Sequence, residues 1–182
     1  TWNFTKDAPE VENRQFEEIN LPHSWNAIDG QDGGNDYFRG TAYYEKKLVK
    51  ADFPEADRYY LEIRGANSSA DVILNGKNLA HHDGGYSTWR VNITDEVTES
   101  TEIAIIVDNS YTEEVYPQMA DFTFYGGLYR DVNLICVSNS HFDLDYFGAP
   151  GIQITPEVTG NDCKVDVNVY VIILPGLHAF PA

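Results

Sequence analysis

The chain has 182 residues and a net charge of −17, with 29 acidic against 12 basic side chains. That balance excludes nucleic acid and anionic membrane surfaces as partners, since both are held by basic patches, and it suits solubility and a neutral ligand. Apolar residues make up 42% and aromatics 13%, a globular composition with enough length for one good core and part of a second. No run of about 18 apolar residues is present to cross a membrane as a helix. The chain opens on Thr1 without a Met, so a leader removed by processing fits, and a periplasmic or secreted bacterial protein is favoured over a cytoplasmic one.

Taken in order, Trp2-Asn3-Phe4 alternates like a short strand, and Pro22 ends regular pairing after Leu21. His23 and Trp25 beside that proline suggest a buried corner, with the histidine bonded to backbone. Residues 27–36, rich in Gly, Asp and Asn, read as a solvated loop, because their spacing does not follow the calcium-binding EF-hand. Strands are expected over 41–49 and 58–64, then over 70–74. Asn75-Gly76 ends that last strand as a type I′ hairpin turn, since both residues tolerate positive φ, and 77–81 is its return. A further strand is expected over 86–93. Residues 102–108 are apolar almost without interruption, so both faces of that strand should be covered. Many short strands with turn signals between them, and no helical period, predict an all-β antiparallel sandwich or jelly roll.

The stretch from Asp121 to Val132 carries an acid, an aromatic run and the pair Gly126-Gly127, which reads as a turn or bulge feeding a strand. Sugar sites combine aromatic faces with a carboxylate that accepts hydroxyls. A turn whose aromatics are core and whose aspartate bonds the backbone fits the same residues. Beyond 141 the character changes, and Gly148-Ala149-Pro150-Gly151 resembles a linker. Two fresh strands follow at 152–158 and 164–173, the second with Val165, Val167, Val169 and Val171 on one face. Two strands cannot make a stable domain. The division expected is therefore 1–148 as one domain and 149–182 as the start of a second β-domain. Cys136 and Cys163 match no metal spacing and read as buried free thiols. His81 and His82 are adjacent, hence on opposite faces of a strand, and do not make a two-histidine metal site. Arg130 and Asp131 read as an ion-paired strand start.

Several motifs then fall in a familiar order: Trp2-x-Phe4, Leu21-Pro22-His23-Ser24-Trp25-Asn26, Tyr37-x-Arg39-Gly40 with Tyr43-Tyr44, and Asn75-Gly76-Lys77. They continue with His82-x-Gly84-Gly85-Tyr86-Ser87, Val107-Asp108-Asn109 and Asp121 through Val132. On this ordered set, spanning 2 to about 137, the chain resembles the N-terminal sugar-binding domain of family 2 glycoside hydrolases, the β-galactosidase and β-glucuronidase group. Thr88-Trp89 and Asn92 depart from the family's usual Pro-Phe and Asp. Trp89 can still fill an aromatic core slot and Asn92 can still bond the backbone.

The resemblance implies a galactose-binding-like jelly roll followed by an immunoglobulin-like domain and a (β/α)₈ barrel carrying the two catalytic carboxyls of a retaining glycosidase. A β-galactosidase is the activity expected first, with β-glucuronidase and β-mannosidase open. No catalytic residue is expected in this chain. Asp121 and Arg39 are the substrate-binding candidates, Asp121 holding the sugar and, in some members, a monovalent cation; a salt bridge closing the 27–40 loop fits Arg39 as well. The partners implied are a carbohydrate substrate, the chain's own downstream barrel and a homo-oligomer. Two other classes fit: an independent carbohydrate-binding module, and a domain that only buttresses a barrel.

Overall fold

The computed structural model describes residues 1–29, 37–116 and 123–173. Thirteen strands follow one another: β1 (Trp2–Thr5), β2 (Glu17–Ile19), β3 (Thr41–Val49), β4 (Arg58–Ile63), β5 (Ser69–Leu74), β6 (Lys77–Asp83), β7 (Trp89–Asn92) and β8 (Ser100–Asp108). Then come β9 (Val132–Val137), β10 (Ser140–Phe142), β11 (Ile152–Thr159), β12 (Asp162–Val169) and β13 (Val171–Ile173). Two short 3₁₀ turns are the only helical elements among the described residues, and no helix there is long and apolar enough to cross a membrane.

A six-stranded sheet in the order β2-β1-β3-β8-β5-β6 faces a three-stranded sheet in the order β7-β4-β9, all pairs antiparallel. Period-two alternation directs Ala42 and Tyr44 of β3, Val72 and Leu74 of β5, and Ile103, Ile105 and Val107 of β8 inward. They meet Tyr59, Leu61 and Ile63 of β4 and Trp89 and Val91 of β7 in one core. Each fully buried large aliphatic there contributes about 1.5–3 kcal/mol through water exclusion. The jelly-roll expectation holds.

Local chemistry accounts for several details. Asn75 (φ 50°) and Gly76 (φ 82°) form the expected hairpin turn, with Leu74 paired to Lys77. Trp89 occupies its core slot, and Asn92 Oδ1 accepts the Thr94 amide at 3.0 Å.

Several expectations are corrected. The strand expected over 86–93 is shorter, because Tyr129 Oη donates to Gly85 O and Arg130 Nη1 donates to Tyr86 O, holding 85–86 as a loop. On β8 one face is fully buried and the other, with Ala104 and Ile106, is only half-covered. The His23 ring bonds the Tyr44 hydroxyl at 2.9 Å, and it is the His23 main-chain amide that reaches backbone, at Leu128 O. Arg130 and Asp131 are not paired with one another among the described contacts: Asp131 meets Arg64 at 3.9 Å while Arg130 binds carbonyls.

The outer face of the small sheet carries a row in register, Arg90 on β7, Glu62 on β4 and Asn133 on β9. Glu62 Oε2 accepts from Arg90 Nε and Nη2 at 2.8 and 2.7 Å, while Oε1 accepts from Arg64 and Asn133. Burial disfavours the carboxylate, yet the hydrogen bonds from Arg64, Asn133 and Arg90 outweigh it and hold the Glu62 pKa below its ordinary value. Arg90 Nη1 donates in addition to Leu144 O and Ala149 O, so the same side chain straps the connecting segment onto the sandwich.

Beyond it, β11 and β12 form a two-stranded ribbon, and β10 pairs with β13. The chain changes character near 141, and there β10 forms as a strand through that pairing. The single strand expected over 164–173 is broken at Tyr170, whose amide binds Gly151 O and whose carbonyl accepts from Asp143. Both cysteines are free, Cys136 half-buried as part of β9 and Cys163 exposed, the latter correcting its expected burial.

Candidate sugar-facing end of the sandwich

Four loops meet at one end of the sandwich: 23–29, 37–40, 109–116 and 123–130. Two glycines let them approach. A Cβ on Gly126 would overlap the Trp25 indole, and one on Gly127 (φ 109°) would lie 2.6 Å from Tyr44 Oη and 2.8 Å from His23 O. The Gly126-Gly127 turn thus seats directly on the buried aromatic corner, with Phe4, His23, Trp25 and Tyr44 in ring contact. Gly127 also bridges to Asn67. Burial lowers the His23 pKa as the leading effect, with Glu17 opposing it and Lys6 reinforcing it, which suits a neutral ring beside Tyr44.

Two buried asparagines join the loops. Asn26 Oδ1 accepts the Gly126 amide at 2.7 Å, and its Nδ2 donates to Asp29 Oδ2 at 2.5 Å and Phe38 O at 2.9 Å. Asn109 Nδ2 donates to Asn26 Oδ1 at 3.3 Å and Phe38 O at 3.2 Å, and its Oδ1 accepts the Gly40 amide at 2.9 Å. Both amide hydrogens of each asparagine are used and each Oδ1 accepts at least one bond, which is how a buried asparagine is tolerated.

Arg39 sits on the rim of this end and is exposed. Its guanidinium lies over the Tyr37 ring at 5.3 Å, and Nη1 donates to Asn109 O at 3.3 Å. Tyr37 in turn donates its hydroxyl to Phe124 O, so the loop carrying Arg39 and the turn after Asp121 are tied together. Burial raises the Tyr37 pKa, keeping it a neutral donor. Tyr86 and Tyr125 are exposed, and both act electrostatically on Tyr37. Asp121 lies outside the described residues. The structure therefore describes Arg39 and the turn that follows Asp121, and leaves the Asp121 carboxylate itself untouched.

The remaining sequence candidates take structural roles. His82 stacks on Trp89 at 4.9 Å, and the Gly85 carbonyl is held by Tyr129. His81 points the other way, between Asp71 at 3.0 Å and Asp83 at 3.2 Å. No group of three or more His, Cys, Asp or Glu side chains able to hold a metal occurs among the described residues. The monovalent cation implied for Asp121 falls, with Asp121 itself, outside the described residues. Sequence reading overlooked Asn26 and Asn109 as a pair. The signal was present in that each asparagine closes one of the ordered motifs, Leu21 to Asn26 and Val107-Asp108-Asn109.

Comparison with known proteins gives the class. The family described as "Glycosyl hydrolase 2 galactose-binding domain-like" matches residues 36–133. A β-glucuronidase of Bacteroides fragilis is 37% identical over 172 residues, 92% of this chain and 24% of its own length. A β-galactosidase of Thermoanaerobacterium thermosulfurigenes is 30% identical, covering 73% of this chain and 20% of its own. Among solved structures, the FMN-binding β-glucuronidase from Facaelibacterium prausnitzii L2-6 superposes with a TM-score of 0.83 at 42% identity, over 94% of this chain and 27% of that one.

The chain belongs to the galactose-binding-like domain family of the glycosyl hydrolase 2 enzymes. It spans about a quarter of the length of the relatives it matches, in their N-terminal region.

Proposed function

We propose that this chain is the front domain of a β-glycosidase that removes a terminal β-linked sugar, and that it lends Arg39 and Asp121 to one side of the sugar pocket. The catalytic carboxyls belong to a barrel outside this chain, so the chain alone hydrolyses nothing. Retaining hydrolysis needs two carboxyls about 5–5.5 Å apart across the scissile bond, and the role left for this domain is binding and orientation.

The substrate favoured is a β-glucuronide rather than the β-galactoside expected from sequence. The observation that carries this reading is Arg39, an exposed guanidinium steadied by Tyr37 and Asn109 at the loop end. A guanidinium matches the two oxygens of a uronate carboxylate, whereas a neutral galactose offers only hydroxyls. The relatives at 37% and 42% identity, both named β-glucuronidases, support the same substrate. Asp121, by resemblance, accepts sugar hydroxyls.

The test is kcat/KM of the full-length protein on p-nitrophenyl β-glucuronide and β-galactoside, with and without Arg39→Gln. A hydrogen bond to a charged group contributes about 1.5–3 kcal/mol, so Arg39→Gln should cost roughly ten- to a hundredfold on the glucuronide. It should leave the galactoside within about threefold. Preference for galactoside in the parent protein, or equal losses on both substrates, would remove the uronate reading. Asp121→Asn should lower kcat/KM on either substrate by roughly tenfold or more.

A further inference from the structure

Both flanks of Arg39 are bonded to one residue. Asn109 accepts the Gly40 amide at Oδ1 (2.9 Å), and its own amide donates to Gly40 O at 3.2 Å. Its Nδ2 donates to Phe38 O at 3.2 Å, and its carbonyl accepts from Arg39 Nη1 at 3.3 Å. Backbone before Arg39, backbone after it and the guanidinium itself are therefore referred to a single buried side chain and its peptide group. The direction of each amide is settled by chemistry: Gly40 N–H only donates, and Phe38 O only accepts.

Asn109 also sits at the end of β8, a central strand of the large sheet, and is 1% exposed. It thereby ties the rim loop to a buried position beside the central strands of the large sheet. Its remaining amide hydrogen goes to Asn26 Oδ1, which accepts the Gly126 amide as well. The loop of Arg39 and the turn that follows Asp121 thus share one hydrogen-bonded junction.

We propose that Asn109 is a positioning residue for sugar recognition: it aims Arg39, and through Asn26 it sets Arg39 relative to the Gly126 turn. It touches no substrate. The proposal rests on the reading of Arg39 as a sugar-facing group, and it goes further by naming what fixes its aim. A guanidinium with four rotatable side-chain bonds loses much freedom when it grips a carboxylate, and prior anchoring of its backbone and one nitrogen lowers that loss.

The test is a double-mutant cycle in the full-length protein, with Asn109→Ala and Arg39→Gln alone and together, and kcat/KM on p-nitrophenyl β-glucuronide counted per titrated active site. Asn109→Ala should lower kcat/KM about tenfold in the Arg39 background and by no more than about twofold once Arg39→Gln is present. Most of the loss should fall on KM, because the barrel's carboxyls are not moved. Should Asn109→Ala fail to fold, Asn109→Ser keeps a hydroxyl for the Gly40 amide and should show a smaller loss with the same dependence on Arg39.

A loss of equal size in both backgrounds overturns the positioning role while leaving Arg39 at the sugar, since it marks Asn109 as a general support of the fold. No loss in the Arg39 background overturns it as well. If Arg39→Gln alone leaves kcat/KM unchanged, the sugar-facing reading of Arg39 falls, and the positioning role falls with it. The single-variant Arg39 result separates that failure from the other two.

Discussion

The sandwich and the β11–β12 ribbon are written in the same alternating pattern and end in opposite states. In β8, Ile105 and Val107 are 0% exposed; in β12, Val165, Val167 and Val169 are 50–54% exposed. Register does not explain the difference. Across the ribbon Ile152 faces Val169, Ile154 faces Val167 and Pro156 faces Val165, so its aliphatic side is as well formed as any in the sandwich. What differs is a second layer. The large sheet has β4, β7 and β9 packed over it, and nothing comparable covers the ribbon among the described residues. Alternation creates a face, and only a partner layer turns a face into a core.

This contrast can be broken in several places. The strongest effect is expected at the strap between the two regions. Arg90→Ala leaves Glu62 short of its main partner in a buried site and frees the 144–149 segment, so unfolding free energy should fall by about 3–5 kcal/mol. Proteolysis within 144–149 should appear at the same time. A stability loss below about 1 kcal/mol in urea melts would show the strap to be dispensable.

Ile105→Ala comes next and tests the core half of the contrast, with an expected loss of about 2–5 kcal/mol. At this chain length each kcal/mol corresponds to about 2–4 °C in Tm. Gly127→Ala follows. Its new methyl group meets Tyr44 Oη and His23 O at a positive φ, which should cost about 1–3 kcal/mol. An unchanged melting temperature would mean that the loop end gives way easily and does not hold Arg39 as described.

Acid provides a gentler probe. The folded-state pKa of Glu62 is depressed, so its contribution is fully present above the ordinary glutamate range and is lost as pH falls through the lower folded value. Stability should therefore decline below about pH 4.5, and a Glu62→Gln variant, already weaker at neutral pH, should decline less over that window. Parallel curves for the two proteins would remove Glu62 from the account. The smallest effect belongs to the ribbon: Val167→Ala should change stability of this chain by no more than about 0.5 kcal/mol. A loss as large as that of Ile105→Ala would show that the ribbon's aliphatic face is covered in solution.

The sequence by itself determined the parts whose cause is local. Asn75-Gly76 had to turn, because few other pairs accept positive φ twice, and the valine alternation of β12 follows from the pleat alone. The ordered motifs from Trp2 to Val132 identified the sugar-binding sandwich, and they pointed to Arg39 on the loop that the structure places at the sandwich end. Only the tertiary structure decided the rest. The three-residue strand β10 exists because β13 returns to pair with it, and residues 86–88 leave the sheet because Tyr129 and Arg130 capture the carbonyls beside them. Glu62 and Arg90 became partners through strand pairing 28 residues apart. Asn26 and Asn109 join across 83 residues, and nothing in either segment names the other. Hydrogen bonds between distant segments depend on where the whole core brings the backbone, and that position is a property of packing, which no local pattern encodes.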